Sequence, residues 1–166
     1  MKVATWNIRG MNRPLKQNGV QHLMKQHNID VMGILETKLG QSKLPWIMRN
    51  KFNGFLQVNN FFTHQVGRIL ILWDPIKVKL TVLEITSQVI HCIATCKVTS
   101  LAFHLSFVYA FPTIVSRGPL SNNIMEFGVS HSLPWLILGD FNNVLKMDER
   151  CNGANVTLYE IKDFEN

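Results

Sequence analysis

VATWNIRGMNRPLKQNGVQHLMKQHNIDVMGILE, residues 3–36, holds two strand patterns with a helical pattern between them. Val3 to Ile8 is an apolar-rich run ending at Arg9-Gly10, which reads as a buried strand followed by a turn. From Lys16 to His27, Val20, Leu23 and Met24 recur at helical spacing, so an amphipathic helix is expected there, ending near Asn28. Asp30 to Glu36 then gives a second strand dominated by Val31, Met32, Ile34 and Leu35. Strand, helix and strand in about 35 residues make an α/β opening whose two strands are expected to lie parallel and adjacent.

Further along, Arg68 to Trp73, Lys77 to Ile85, Gln88 to Val98 and Leu101 to Tyr109 are β-branched or aromatic-rich segments. Short breakers such as Asp74-Pro75 and Thr99-Ser100 separate them, a spacing that predicts an antiparallel meander. Val78, Leu80 and Val82 alternate with Lys77, Lys79 and Thr81, so one face of that strand is expected to be wet. In Phe111 to His131, Pro112, Gly118, Pro119 and Gly128 disfavour a continuous helix. Pro134 to Gly139 (PWLILG) predicts another strand, ending at Asp140. Thr157 and Glu160 form a capping box ahead of Leu158, Ile161 and Phe164, so a helix is expected to start near 157. Without a C-cap signal before Asn166, the ending is expected to interrupt a longer domain. The 166 residues are therefore expected to form one α/β domain without its last strands.

The composition is that of a globular chain, 46% hydrophobic and 17% charged. Disordered chains are apolar-poor and charge-rich instead. No run approaches the ~20 apolar residues that span a bilayer, and Asn7 and Arg9 interrupt any signal-peptide core. An intracellular location is the expectation. Cys92, Cys96 and Cys151 are an odd set, which argues against a secreted disulfide framework. Cys92 and Cys96 fall on one predicted strand, too far apart for a disulfide or a shared zinc, and are expected to be buried, inert thiols. Charge is uneven: residues 1 to 51 hold nine Lys/Arg against Asp30 and Glu36, while the remainder holds eight against nine acids. A basic N-terminal half suits a polyanionic partner, although a solvated basic surface would look the same in the sequence.

Four polar sites fall at the ends of predicted strands: Asn7, Glu36, Tyr109, and Asp140 with Asn142. Strand ends can converge at one rim of a sheet sandwich, with each side chain on rigid backbone. Each also has a plain structural explanation. Asn7 and Asn142 suit turns, Asp140 a cap, Glu36 a solvated surface, and Tyr109 a core ring with its hydroxyl satisfied.

Taken together and in order, VATWNIRG (3–10), ILETK (34–38), VYA (108–110) and LGDFN (138–142) resemble the endonuclease/exonuclease/phosphatase superfamily. Within it, the WNIRGMNRP opening (6–14), Gly67 to Val78 and Pro134 to Arg150 are most similar to the endonuclease domain of plant non-LTR (LINE-type) retrotransposon polyproteins. The resemblance implies an incomplete four-layer α/β sandwich, two packed mixed sheets flanked by helices, as in deoxyribonucleases and apurinic-site endonucleases. It also implies a Mg²⁺ (or Mn²⁺) ion on Glu36 with Asn7 beside it, and no other small-molecule cofactor. Tyr109 would orient the scissile phosphate, Asp140 would orient or deprotonate the attacking water, and Asn142 would donate a hydrogen bond at the transition state. Arg9, Arg13 and Lys16 would contact DNA phosphates. The partner would be DNA rather than a membrane, and the retroelement likeness points to the nucleus.

The chain departs from this pattern in places. None of His22, His27, His64, His91, His104 and His131 follows an Asp, so the Ser-Asp-His motif that completes such sites is missing. Relatives often have Asn where Pro112 stands. The helix before the final Asp motif keeps Arg117 and Leu120 but carries Gly118 and Pro119. The leading reading is thus a DNA-nicking endonuclease by lineage, expected to be inactive as these 166 residues alone. A non-catalytic remnant that at most binds nucleic acid or metal is the main rival. A phosphatase or phospholipase branch, with other substrate loops, is the third.

Overall fold

β1 (Val3–Asn7) and β2 (Val31–Leu35) lie side by side and parallel, with Val3 opposite Val31 and Asn7 opposite Leu35. The connecting helix α1 (Pro14–His27) starts with proline at its first position, where the missing N–H costs nothing. It ends at Asn28 in the left-handed conformation, with Ile29 N–H donating to Met24 O at 2.9 Å, the closure that satisfies the last carbonyls. The computed structural model describes residues 1–64 and 67–143. Cys151 and the helix expected near 157 lie outside them.

Beyond β2, the short helix α2 (Leu44–Lys51) precedes β3 (Leu56–Asn59) and β4 (Ile69–Trp73). The first sheet has the order β1-β2-β4-β3, with β4 antiparallel to both neighbours. β5 (Val78–Ile85), β6 (Val89–Cys96), β7 (Ala102–Tyr109) and β8 (Trp135–Asp140) form the second sheet in that order, with β8 parallel to β7. The predicted four-strand meander is therefore corrected: it holds for β5, β6 and β7, while β4 crosses into the other sheet. The β4 run ILILW is buried on both faces, and such a run shows no alternation that could reveal its neighbours. In the edge strand β5, alternation holds from Val78 to Thr81, then a bulge between Val82 and Glu84 leaves Val82 and Leu83 exposed.

Three apolar layers stack through the molecule. Met32, Ile34, Leu70 and Leu72 face α1 and α2, meeting Val20, Met24, Leu44 and Ile47. Val31, Leu35, Ile69 and Ile71 face the second sheet, meeting Ile90, Cys92, Leu105 and Phe107. Val89, Val108 and Ala110 pack against Leu120 of α3 (Ile114–Ser130). The order is helices, sheet, sheet, helix: the expected four-layer α/β sandwich of two mixed sheets flanked by helices. Cys92 and Cys96 are free and buried, as expected, and burial pushes the Cys92 thiol up to about 12.

The continuous α3 corrects the expectation that Pro112, Gly118, Pro119 and Gly128 would break this stretch. An interior proline removes one helical hydrogen bond, and tertiary contacts hold the helix regardless. Thr113 caps its start through Ser116 N–H, and Arg117 Nη1 donates to Pro112 O and Asn142 O. Gln88 Nε2 donates to Ser116 O at 2.9 Å, and Asn123 bridges His91 and Glu84. The Phe127 ring lies between His91 and His131, at 4.0 and 3.9 Å, and His104 meets its edge.

That packing makes the α3 layer acid-sensitive. Burial pulls the His91 imidazole below its ordinary value, and the neighbouring His131 and His104 add to this against Asn123 and Glu84. Burial and then His131 lower His104 in the same way, and its Nδ1 is buried without a hydrogen-bond partner. Below about pH 6.5 the unfolded chain therefore binds more protons than the folded one, and acid favours unfolding. The stability these groups provide is complete above the ordinary imidazole range and is lost as pH falls through the depressed values. The melting temperature is expected to drop between about pH 7 and about pH 5, and His91→Gln should flatten that drop. A wild-type Tm that holds steady or rises on acidification would contradict it.

Candidate active site

The topology gathers one end of several strands at a single rim. Parallel β1 and β2 end there at Asn7 and Leu35, and antiparallel β4 begins there at Ile69. In the second sheet, Tyr109 and Asp140 are register partners at the ends of β7 and β8. The edges β1 and β8 touch. Asn7 Nδ2 donates to Asp140 Oδ2 at 2.6 Å, and the Tyr109 hydroxyl donates to the Glu36 carboxylate. Asn7, Glu36, Tyr109 and Asp140, drawn from both sheets, thus come together across 133 residues of sequence.

Backbone strain concentrates at the same rim. Among the described residues, six non-glycine positions have positive φ, and Arg9, Glu36, Lys38 and Asn142 are four of them. Such conformations cost on the order of 1 kcal/mol each and cluster at functional sites. Asp140 is fixed twice more, accepting Asn142 N–H at 2.9 Å while its own carbonyl accepts Ala110 N–H. Asn142 donates its side-chain amide to Ala110 O at 2.7 Å, so one of its two N–H bonds is engaged within the fold.

Burial alone would raise the Glu36 carboxyl. The hydrogen bond and charge of Lys38, the Tyr109 hydroxyl and the charge of Arg9 outweigh it and hold Glu36 below the usual carboxylate range. Lys38 Nζ lies 2.8 Å from Glu36 Oε1. Burial, then the charge and hydrogen bond of Glu36, push the Tyr109 phenol up to about 12 against the pull of Arg68. Tyr109 is therefore a neutral donor at physiological pH.

Sequence reading did not single out Arg68. It stands immediately before β4, 8% exposed, with its guanidinium 4.3 Å from the ring centres of both Tyr109 and Phe111. Its only signal is a charge at the head of an otherwise apolar run, which looks like an ordinary strand boundary. Arg9 and Arg13, by contrast, sit exposed beside Gly10, Asn12 and Lys16 around an open depression of about 290 Å³. Lys16 is also exposed, but its ammonium is tied to Ile8 O at 3.1 Å.

The donors at the rim suit a hard divalent cation. Magnesium takes one or two carboxylates with waters and substrate oxygens, without needing a closed cage. Glu36, Asp140 and the Asn7 amide offer such a partial set, with Lys38 as a competitor for Glu36. Among the described residues no group of three or more His, Cys, Asp or Glu forms a cation cage.

The two-sheet α/β fold is shared with several solved structures. The AP endonuclease LMAP from Leishmania major superposes with a TM-score of 0.69 at 15% identity, over 97% of this chain and 63% of that one. The endonuclease domain of TRAS1, a telomere-specific non-LTR retrotransposon, gives 0.68 at 11%, over 86% and 60%. A mannosyl-6-phosphatase from Bacteroides thetaiotaomicron gives 0.62 at 17%, over 85% and 65%. The chain thus spans less than two thirds of these structures. No curated protein matches the sequence significantly. The profile of the endonuclease/exonuclease/phosphatase family matches residues 4–159, and the chain belongs to that family. Among the described residues, no helix is long and apolar enough to cross a membrane.

Proposed function

We propose that this rim is the phosphodiester-cleaving site of a DNA-nicking endonuclease of the non-LTR retrotransposon kind, with Mg²⁺ or Mn²⁺ as its cofactor. The observation that carries the reading is the convergence of Asn7, Glu36, Tyr109 and Asp140 beside the open basic depression of Arg9 and Arg13. Glu36 and Asn7 would hold the cation, which would offset charge building on the phosphate. Tyr109, kept neutral, turns its hydroxyl from Glu36 to a phosphate oxygen. Asp140, aimed by Asn7 and by Asn142 N–H, orients the attacking water and takes its proton. Asn142 supports the charged phosphate through the N–H that Ala110 does not engage. Arg9, Arg13 and Lys16 contact the DNA backbone, which fixes register without reading sequence. The substrate on this reading is nuclear DNA.

A non-catalytic descendant that keeps only weak metal or nucleic-acid binding is the second reading, favoured by the Lys38–Glu36 ion pair. Calorimetric titration with Mg²⁺ and Mn²⁺ tests the metal assignment. Weak binding is expected for the wild type and none for Glu36→Gln. Equal binding by the two proteins would remove Glu36 from the metal site.

A further inference from the structure

We propose that Arg68 is a positioning residue of this site, holding Tyr109 against Glu36 and pinning the two sheets together at the rim. Glu36 follows a strand of the first sheet and Tyr109 ends a strand of the second, so their contact depends on how the sheets are docked at this end. Arg68 spans that joint. From the first sheet its Nε donates to Ser87 O at 2.9 Å in the turn between β5 and β6, and Nη2 donates to Tyr109 O at 2.8 Å and Ala110 O at 3.3 Å. Asn60 crosses beside it, donating to Thr86 O and Ser87 O while its Oδ1 accepts Ile69 N–H.

The backbone bonds alone would make Arg68 a structural pin. Its stacking adds the second role. A planar guanidinium can lie flat on aromatic faces while it donates in its own plane, which a lysine ammonium cannot do. With its carbon centre 4.3 Å from the Tyr109 ring centre, Arg68 limits the swing of that ring while its edge grips Tyr109's own carbonyl. Phe111, at the same distance, supports the guanidinium in turn. Ring and main chain of Tyr109 are thereby held by one side chain, and its hydroxyl is left facing Glu36.

The inference rests on the proposed function for Tyr109's role, but its test reads the tyrosine directly. The sequence has two tyrosines, so Tyr159→Phe leaves Tyr109 as the single site for 3-fluorotyrosine. In the full chain, Arg68→Lys keeps the positive charge and loses the flat stack. Its Tyr109 fluorine resonance at neutral pH is expected to shift and sharpen toward that of a free side chain. A folded Arg68→Lys protein with the wild-type resonance overturns the proposal. If that variant does not fold, Phe111→Leu, which takes away the guanidinium's second support, should move the resonance in the same direction, and an unchanged resonance there overturns the proposal equally. A Mg²⁺ titration unaffected by Glu36→Gln would sink the metal reading and leave Arg68's assignment standing, so the two failures are distinguishable.

Discussion

Gly33→Ala is expected to destabilise the fold by about 3 kcal/mol, at the upper end of what an added core methyl group costs. Gly33 is the central residue of β2, and a Cβ there would lie 2.1 Å and 2.3 Å from Cδ1 and Cε1 of Phe107 in the facing sheet. Phe107 is fully buried. It is packed among Val31, Leu35, Ile71 and Leu105, so it has little room to retreat. β2 cannot retreat either, because Met32 and Ile34 fill its other face against the helices. Relief would require the sheets to move apart, and the rim would open with them, since Asn7 meets Asp140 and Glu36 meets Tyr109 across that spacing. Urea unfolding would measure the loss as a lower midpoint at constant slope. Phe107→Leu added to Gly33→Ala should recover part of it. A single variant within about 0.5 kcal/mol of wild type would show that the sheets are not docked this closely.

How far the sequence could be read follows from the same packing. β1, α1 and β2 were legible because their apolar residues recur at strand and helix spacing within a few tens of residues, and parallel pairing follows from the crossover between them. The sheet to which β4 belongs was not legible. ILILW reports burial on both faces, and nothing local says that its partner is β2 rather than β5. α3 is not legible because proline and glycine lower local propensity, whereas the helix is held, beyond its own cap at Thr113, by Gln88 and His91, residues brought to it by the fold. The same holds for the histidine stack: His91, His104 and His131 are far apart in sequence and meet only around Phe127. At the site, Asn7, Glu36, Tyr109 and Asp140 were legible as polar residues ending apolar strands, and the structure gathers all four. Arg68 was not, because its role depends on a joint between sheets that no periodicity encodes.

Asp140→Ala should have the largest effect on turnover, and the expectation has two parts. The 166 residues contain no Asp-His pair, and catalytic groups that act as a unit fail together when one member is lost. Alone, they are expected to show no magnesium-dependent nicking of supercoiled plasmid above background. Fused to the C-terminal portion of a related retroelement endonuclease, they should nick, because the rim still holds Glu36 on Tyr109 and Asp140 on Asn7. In that fusion Asp140→Ala should lower nicking by about 10³-fold, within the range for a lost general base. Ground-state DNA binding should change little if, as proposed, the phosphate contacts come from Arg9, Arg13 and Lys16, which line a depression that Asp140 does not share. Removing Asp140 also frees the Asn7 amide and Asn142 N–H, so a purely structural role would appear as a lower Tm with binding and nicking weakened together. A large loss of nicking with binding and Tm held separates the catalytic role from that one. If instead the unextended chain nicks plasmid and Asp140→Ala abolishes it, the missing pair is not required, and His64, whose ring centre lies 6.1 Å from that of Phe111 beside the site, becomes the first group to test in its place.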